Sequence, residues 1–264
     1  MTLNITSLQN PKIRYLLSLS KSKNRKKEGQ FIIEGLREIS RAKATGVTFA
    51  QIYYCPEIMS GEALSVLKEI GGETSGIILA RNVFNRVVYR EDAEGILVVA
   101  QAEDKKLEDL HPSKDSLFLV LETVEKPGNL GAVVRTADAA GITAVIICDP
   151  QTDIYNPNVI RSSLGCLFST EVIVSDSESA IAFLKSRGVK IFAAALQDSV
   201  NYTTGNYCGP TAFIMGSEAD GLSAIWRENA DRIIKIPMAG IADSLNVSVS
   251  AAVLVFEALR QRNI

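Results

Sequence analysis

Six polar side chains stand at positions from which one reaction could be run. Asn129 and Arg135 lie six residues apart, and Glu218 follows Met215-Gly216. Asp243, Ser244 and Asn246 precede an almost wholly apolar run from Val247 to Leu259. The stretches that hold them are rich in glycine and small residues, as loops that let a ligand approach the backbone must be. Each side chain also has a plainer role open to it. Arg135 sits among Ala132, Val133, Val134, Ala137, Ala139 and Ala140, so it is either a surface residue of a helix or a clamp for a phosphate. Glu218 can accept a hydrogen bond from an amine or hydroxyl, or it can cap the next helix. Ser244 or Asn246 can cap the helix that begins near Val247, or both can join Gly240 and Asp243 in a preorganised polar loop.

Several chemistries are excluded at the outset. The chain has one histidine, His111, and its cysteines, Cys55, Cys148, Cys166 and Cys208, show no C-x-x-C pairing or zinc spacing. A Ser-His-Asp or Cys-His arrangement could draw only on His111, and a zinc-type site would lack its usual ligands, so no metal is expected. Gly128-Asn-Leu-Gly131 is not the dinucleotide fingerprint, and no phosphate-loop motif occurs.

The elements that must position these residues form a regular pattern. Continuous apolar runs at 117–121, 143–148, 171–174, 189–196, 212–215 and 232–236 alternate with helical stretches. Strands that are apolar on both faces are covered on both faces, which predicts a mostly parallel sheet in an α/β domain. The three glycine-bearing loops, in the stretches 122–141, 213–223 and 236–262, each follow such a strand. Open α/β sheets bind ligands beyond the carboxyl ends of their strands, so these loops should line one crevice.

Ahead of this lies a smaller α/β domain. Asn10-Pro11 opens a helix to about Ser22, Lys21–Lys27 reads as a basic loop, and strands are expected at 31–35, 49–54, 76–80 and 95–100. Helices should end before Gly46 and Gly71, while 83–88 fits neither class. The polar stretch 101–115 marks the boundary, giving domains at 1–105 and 116–264. The net charge of −2 hides an asymmetry, because residues 1–46 hold ten Lys/Arg against three Glu. That face is either a solvated helix surface or a contact for nucleic acid or anionic lipid. No secretory signal or span of transmembrane length is visible, which points to the cytoplasm.

Taken together, three motifs carry a specific resemblance. Asn129-Leu-Gly-x-x-x-Arg135-Thr-Ala, Met215-Gly-Ser-Glu218-Ala-Asp-Gly221-Leu and Ile236-Pro-Met-x-Gly-x-x-x-Ser244-Leu-Asn246-Val resemble, in order and spacing, those of the SpoU (TrmH) family of SPOUT RNA methyltransferases. The N-terminal part, with its basic loop and Phe31-Ile-Ile-Glu34-Gly35, is similar to that family's small substrate-binding domain. The resemblance implies 2′-O-methylation of a ribose in ribosomal or transfer RNA by S-adenosyl-L-methionine, a C-terminal trefoil knot and a homodimer built on it. General rules of chain connection disfavour knots, so the resemblance alone carries that expectation.

Position by position, the resemblance makes Arg135 catalytic with Asn129 beside it, and gives Glu218, Ser244 and Asn246 to the active site. It puts the cofactor on Ala195, Leu196, Gly216, Gly221, Ile236, Met238 and Leu245. Lys23, Arg25, Lys26 and Lys27 are expected to contact RNA. The family has Asp or Asn before the proline of the first motif, and here Lys126 stands there. Two other readings use the same fold: an RNA-binding assembly factor without catalysis, and a generic nucleotide-binding enzyme, for which the third motif would have no purpose.

Overall fold

The computed structural model describes residues 3–90, 93–217 and 220–263. The chain divides into two compact units, residues 1–103 with 153–169, and residues 104–152 with 170–264.

The first unit holds a five-stranded mixed sheet. Its strands are β1 (Asn4–Ile5), β2 (Gln30–Glu34), β3 (Phe49–Tyr54), β4 (Ile77–Leu79) and β5 (Ile96–Gln101), in the order β1-β4-β3-β5-β2. The β5 strand runs antiparallel to both β2 and β3, and the other pairs are parallel. Helices α1 (Pro11–Ser18), α2 (Ser22–Glu28), α3 (Leu36–Ala44), α4 (Gly61–Glu69), α5 (Gly72–Ser75) and α6 (Arg81–Val87) connect them. Asn10 caps α1 as expected, accepting from the Lys12 N–H at 2.9 Å, with proline at the first helical position.

Two segments differ from their sequence reading. The basic stretch is not a loop but helix α2, closed by Gly29 at φ +61°. Lysine and arginine are good helix formers, and three of them in the last turn suit the helix dipole. The ambiguous segment 83–88 is mostly helical too. In α6, Val83, Phe84 and Val87 are buried at helical spacing, which the short window could not separate from a strand.

The excursion 153–169, which includes α7 (Pro157–Ser162), packs with the first unit although it interrupts the second in sequence. Its anchors explain the arrangement. Tyr155 stacks on Phe31 at 4.1 Å between ring centroids, and Arg41 donates to the Leu164 carbonyl at 2.8 Å. Arg25 is 4 % exposed, donates through Nε to Asp153 at 2.7 Å, and donates again to the Leu19 and Ser20 carbonyls. The guanidinium expected to meet RNA is therefore used inside the fold, while Lys23, Lys26 and Lys27 of the same helix are exposed.

The second unit is a seven-stranded sheet, parallel throughout its described pairs. Its strands are β6 (Leu117–Glu122), β7 (Ala144–Cys148), β8 (Val172–Ser175), β9 (Lys190–Ala194), β10 (Val200–Asn201), β11 (Thr211–Met215) and β12 (Arg232–Lys235), ordered β10-β12-β9-β11-β6-β7-β8. The six strands expected here are present within a few residues at each end, and the two-residue β10 is an addition. Helices α8 (Pro127–Ala140), α9 (Ser177–Ser186), α10 (Ala224–Asn229) and α11 (Val247–Gln261) complete the unit. Every residue of β6, β7 and β11 is buried, as strands covered on both faces require.

Because Arg25 and Asp153 are both nearly sealed from water, removing one partner strands the other. Asp153→Ala should lower unfolding stability by about 3–5 kcal/mol, whereas Lys23→Ala should change it by less than about 0.5 kcal/mol. Chemical denaturation of the two variants measures both.

Candidate active site

The carboxyl ends of β9, β11 and β12 open into a cavity of about 390 Å³, within the 300–1,000 Å³ typical of small-molecule sites. All seven residues expected to hold a cofactor line it: Ala195, Leu196, Gly216, Gly221, Ile236, Met238 and Leu245. They come from the loops after β9, β11 and β12, brought together by strand order, whereas the first glycine-bearing loop, after β6, which was expected to share the crevice, contributes no residue to the lining. Apolar side chains offer a surface for a flat heterocycle, and the strand-end backbone offers donors and acceptors for its edge.

Two close approaches shape the wall. A side chain on Gly216 would place its Cβ 2.2 Å from the Gly221 carbonyl group, so only glycine fits there. Gly221 itself has φ +69°, and its N–H donates to the Ser217 carbonyl at 3.1 Å, closing the loop at its base.

Ser244 and Asp243 also line the cavity, from the exposed loop that precedes α11. The capping alternative is resolved in favour of Asn246. Its Oδ1 accepts from the Ser248 N–H at 3.0 Å, which starts α11. Its Nδ2 donates to Asn129 Oδ1 at 3.1 Å, which ties the first motif to the third. Asn246 is thus at once a helix cap and a member of the polar group.

Arg135 lies in α8, whose first turn begins at Pro127 and includes Asn129. Six residues along a helix turn the side-chain direction by about a third of a circle away from Asn129. Arg135 is exposed and is not among the residues that line the cavity. Lys126 is the N-cap residue of α8 and makes no capping bond. The Asp or Asn expected there would supply an acceptor, worth about 1 kcal/mol to the helix. Glu218 lies outside the described residues.

Other residues at the cavity were not singled out from sequence. Gln197 follows directly on Ala195-Leu196, so the strand end could have signalled it. Arg227 carries no such sign; it sits on α10 and reaches Gln197 Oε1 at 3.1 Å. Cys148, at the end of β7, is not a nucleophile, because burial pushes its thiol pKa well up. No cluster of three or more potential metal ligands occurs among the described residues.

The tight contact at Gly216 gives a direct test of the wall. Gly216→Ala must displace the backbone at Gly221 and Leu222. The variant should fold, with its melting temperature lowered by a few degrees, about 1–3 kcal/mol of strain, and should lose ligand binding in this cavity. Thermal melting alongside calorimetric titration with a nucleoside ligand reads both effects.

Residues 116–256 match the SpoU rRNA Methylase family, and residues 10–98 match the MRM3-like substrate binding domain. The chain is 31% identical over 253 residues to the 23S rRNA (guanosine(2553)-2′-O)-methyltransferase RlmP of Bacillus subtilis, covering 96% of this chain and 97% of that protein. Among solved structures, an RNA 2′-O ribose methyltransferase superposes with a TM-score of 0.85 at 38% identity, covering 99% of this chain and 100% of the other. An AdoMet-bound rRNA methyltransferase from Sinorhizobium meliloti superposes with a TM-score of 0.89 at 29% identity, covering 98% of each chain. The motifs, the parallel sheet and the extent of these matches agree, and the chain belongs to the SpoU methylase family.

Proposed function

We propose that this protein methylates a ribose 2′-hydroxyl of ribosomal RNA, using S-adenosyl-L-methionine. The observation that carries the reading is the convergence of the loops after β9, β11 and β12 on one cavity, with Asn246, in sequence between the lining residues Leu245 and Val247, bonded to Asn129. The cofactor supplies a methyl group already activated by its sulfonium. The residues fit such a group: the cavity has the right size, an apolar wall and a strand-end backbone close enough to bond a heterocycle.

What remains for the protein is alignment and the removal of one proton. Ala195, Leu196, Gly216, Gly221, Ile236, Met238 and Leu245 hold the cofactor. Asn129 and Asn246 place the ribose and Ser244 borders the cofactor side, while Glu218 is assigned to the active site by its place in the family's second motif. Arg135 presents a planar guanidinium that grips the RNA phosphate in a fixed orientation. An arginine stays protonated in ordinary circumstances, so phosphate anchoring is its first role, with the hydroxyl proton passing to a neighbouring acceptor. Intact Asn129, Arg135, Ser244 and Asn246 favour the enzyme over an inactive assembly factor.

The smaller unit supplies the RNA grip through Lys23, Lys26 and Lys27 on α2. The protein works in the cytoplasm as a homodimer, with its C-terminal segment threaded as a trefoil knot. Support for the dimer comes from α11, which carries the exposed Val249 and Phe256 and packs against α8, the helix of Arg135.

Transfer of tritiated methyl from labelled cofactor to ribosomal RNA, with and without a chelator, tests the activity; no transfer would refute it. Arg135→Lys keeps the charge and loses the fork. It should slow single-turnover methylation roughly a hundredfold, about 2.7 kcal/mol of transition-state stabilisation, while cofactor affinity and melting stay near wild type. Replacing Lys23, Lys26 and Lys27 with alanine should flatten the salt dependence of RNA binding, because fewer counterions are released. Phe256→Glu should shift the mass measured by light scattering from dimer to monomer.

A further inference from the structure

We infer that Glu122, a buried residue outside all three motifs, is a positioning residue that holds in place the cofactor-cavity wall formed by Gly216, Ser217, Asp220, Gly221 and Leu222. The inference rests on the cofactor reading above and names a group that neither the motifs nor the cavity lining includes.

Glu122 is the last residue of β6 and is only 4 % exposed. Its Oε2 accepts from the Ser223 N–H at 2.8 Å, and its Oε1 accepts from the Ser223 hydroxyl at 2.5 Å. Ser223 is the N-cap residue of α10, yet its hydroxyl makes no capping bond. A serine in that position ordinarily turns its oxygen to the helix, and leaving the cap unmade weakens the helix start. Here the hydroxyl is turned to Glu122 instead.

The location gives this bond its consequence. Leu121 pairs with Met215 in the β6–β11 ladder, so the loop that leaves β11 starts beside the end of β6. One residue further on, Glu122 grips Ser223, where that loop ends. Between these two points Gly216, Ser217, Asp220, Gly221 and Leu222 lie on the cavity, with the sheet holding the entry and Glu122 the exit. Leu222 is buried and Gly221 is bonded back to Ser217, which adds two further restraints at the exit.

A second layer supports the first. The Ser177 hydroxyl donates to Asp149 at 2.7 Å, accepts from the indole N–H of Trp226 at 3.0 Å, and lies 3.5 Å from Glu122 Oε1. Trp226 is fully buried on α10, next to the cavity residue Arg227. Both ends of the Ser223–Trp226 turn are therefore bonded to the sheet edge through the same polar cluster.

The test compares wild type with Glu122→Gln and Ser223→Ala. Glutamine keeps the shape but turns one acceptor into a donor facing Ser223. In the cofactor-free proteins, hydrogen exchange at the Gly221 amide should be at least about tenfold faster in Glu122→Gln, as expected for loss of a hydrogen bond to a charged group. Amides of β6 and β11 should keep wild-type protection. Calorimetry should show cofactor affinity weakened by about tenfold or more in Glu122→Gln and by several-fold in Ser223→Ala. The single-turnover rate at saturating cofactor should stay within about threefold of wild type. If Glu122→Gln fails to fold, Ser223→Ala decides alone, since it removes one hydroxyl from an exposed residue. Unchanged Gly221 exchange together with unchanged cofactor affinity in a folded variant overturns the inference. Absence of cofactor binding in the wild type overturns the cofactor reading instead, and the exchange result still reports separately on whether Glu122 holds the loop.

Discussion

Parallel pairing across the seven-stranded sheet is the constraint on which the site depends. Because neighbouring strands run the same way, β6, β9, β11 and β12 all release their chains at one edge. The loops that follow must turn there, and residues some forty positions apart in sequence become neighbours. Burial enforces the pairing. With both faces of β6, β7 and β11 sealed, a slip in register would carry polar loop residues into the core.

Around that edge, the polar groups are used economically. Asn246 starts α11 with one end of its amide and reaches Asn129 with the other. Glu122 ends a strand and restrains the loop after β11. Side chains that do two structural tasks near a cavity tolerate little change, since a shift in either partner moves the wall. Gly216 expresses the same demand in backbone form, because the chain passes too close to Gly221 for any side chain.

The first unit follows a different rule. Its mixed sheet is short, and part of its packing comes from residues 153–169, which return to it from the middle of the second unit. The return is held by a buried ion pair, an arginine bonded to a carbonyl and stacked aromatic rings. Such anchors can join distant segments because they are directional, whereas apolar burial alone would accept many partners.

Local chemistry in the sequence determined a great deal. Continuous apolar runs marked the strands of the large sheet, and Asn10-Pro11 marked the first helix. The seven residues expected at the cofactor were legible only through the resemblance to a known family, and Ala195 and Leu196 lie outside its three motifs. Three features were decided only by tertiary structure. Arg25 reads as one cation in a basic run, and only its partner Asp153, far along the chain, removes it from the surface. Asn246 and Ser244 read as equal caps; Asn246 makes the capping bond, and only the meeting of α8 with α11 brings Asn129 to the other end of its amide. Glu122 reads as the start of the first glycine-bearing loop, and only the β6–β11 pairing brings it to Ser223. In each case the deciding partner is distant in sequence, and local propensity carries no information about which distant group will arrive.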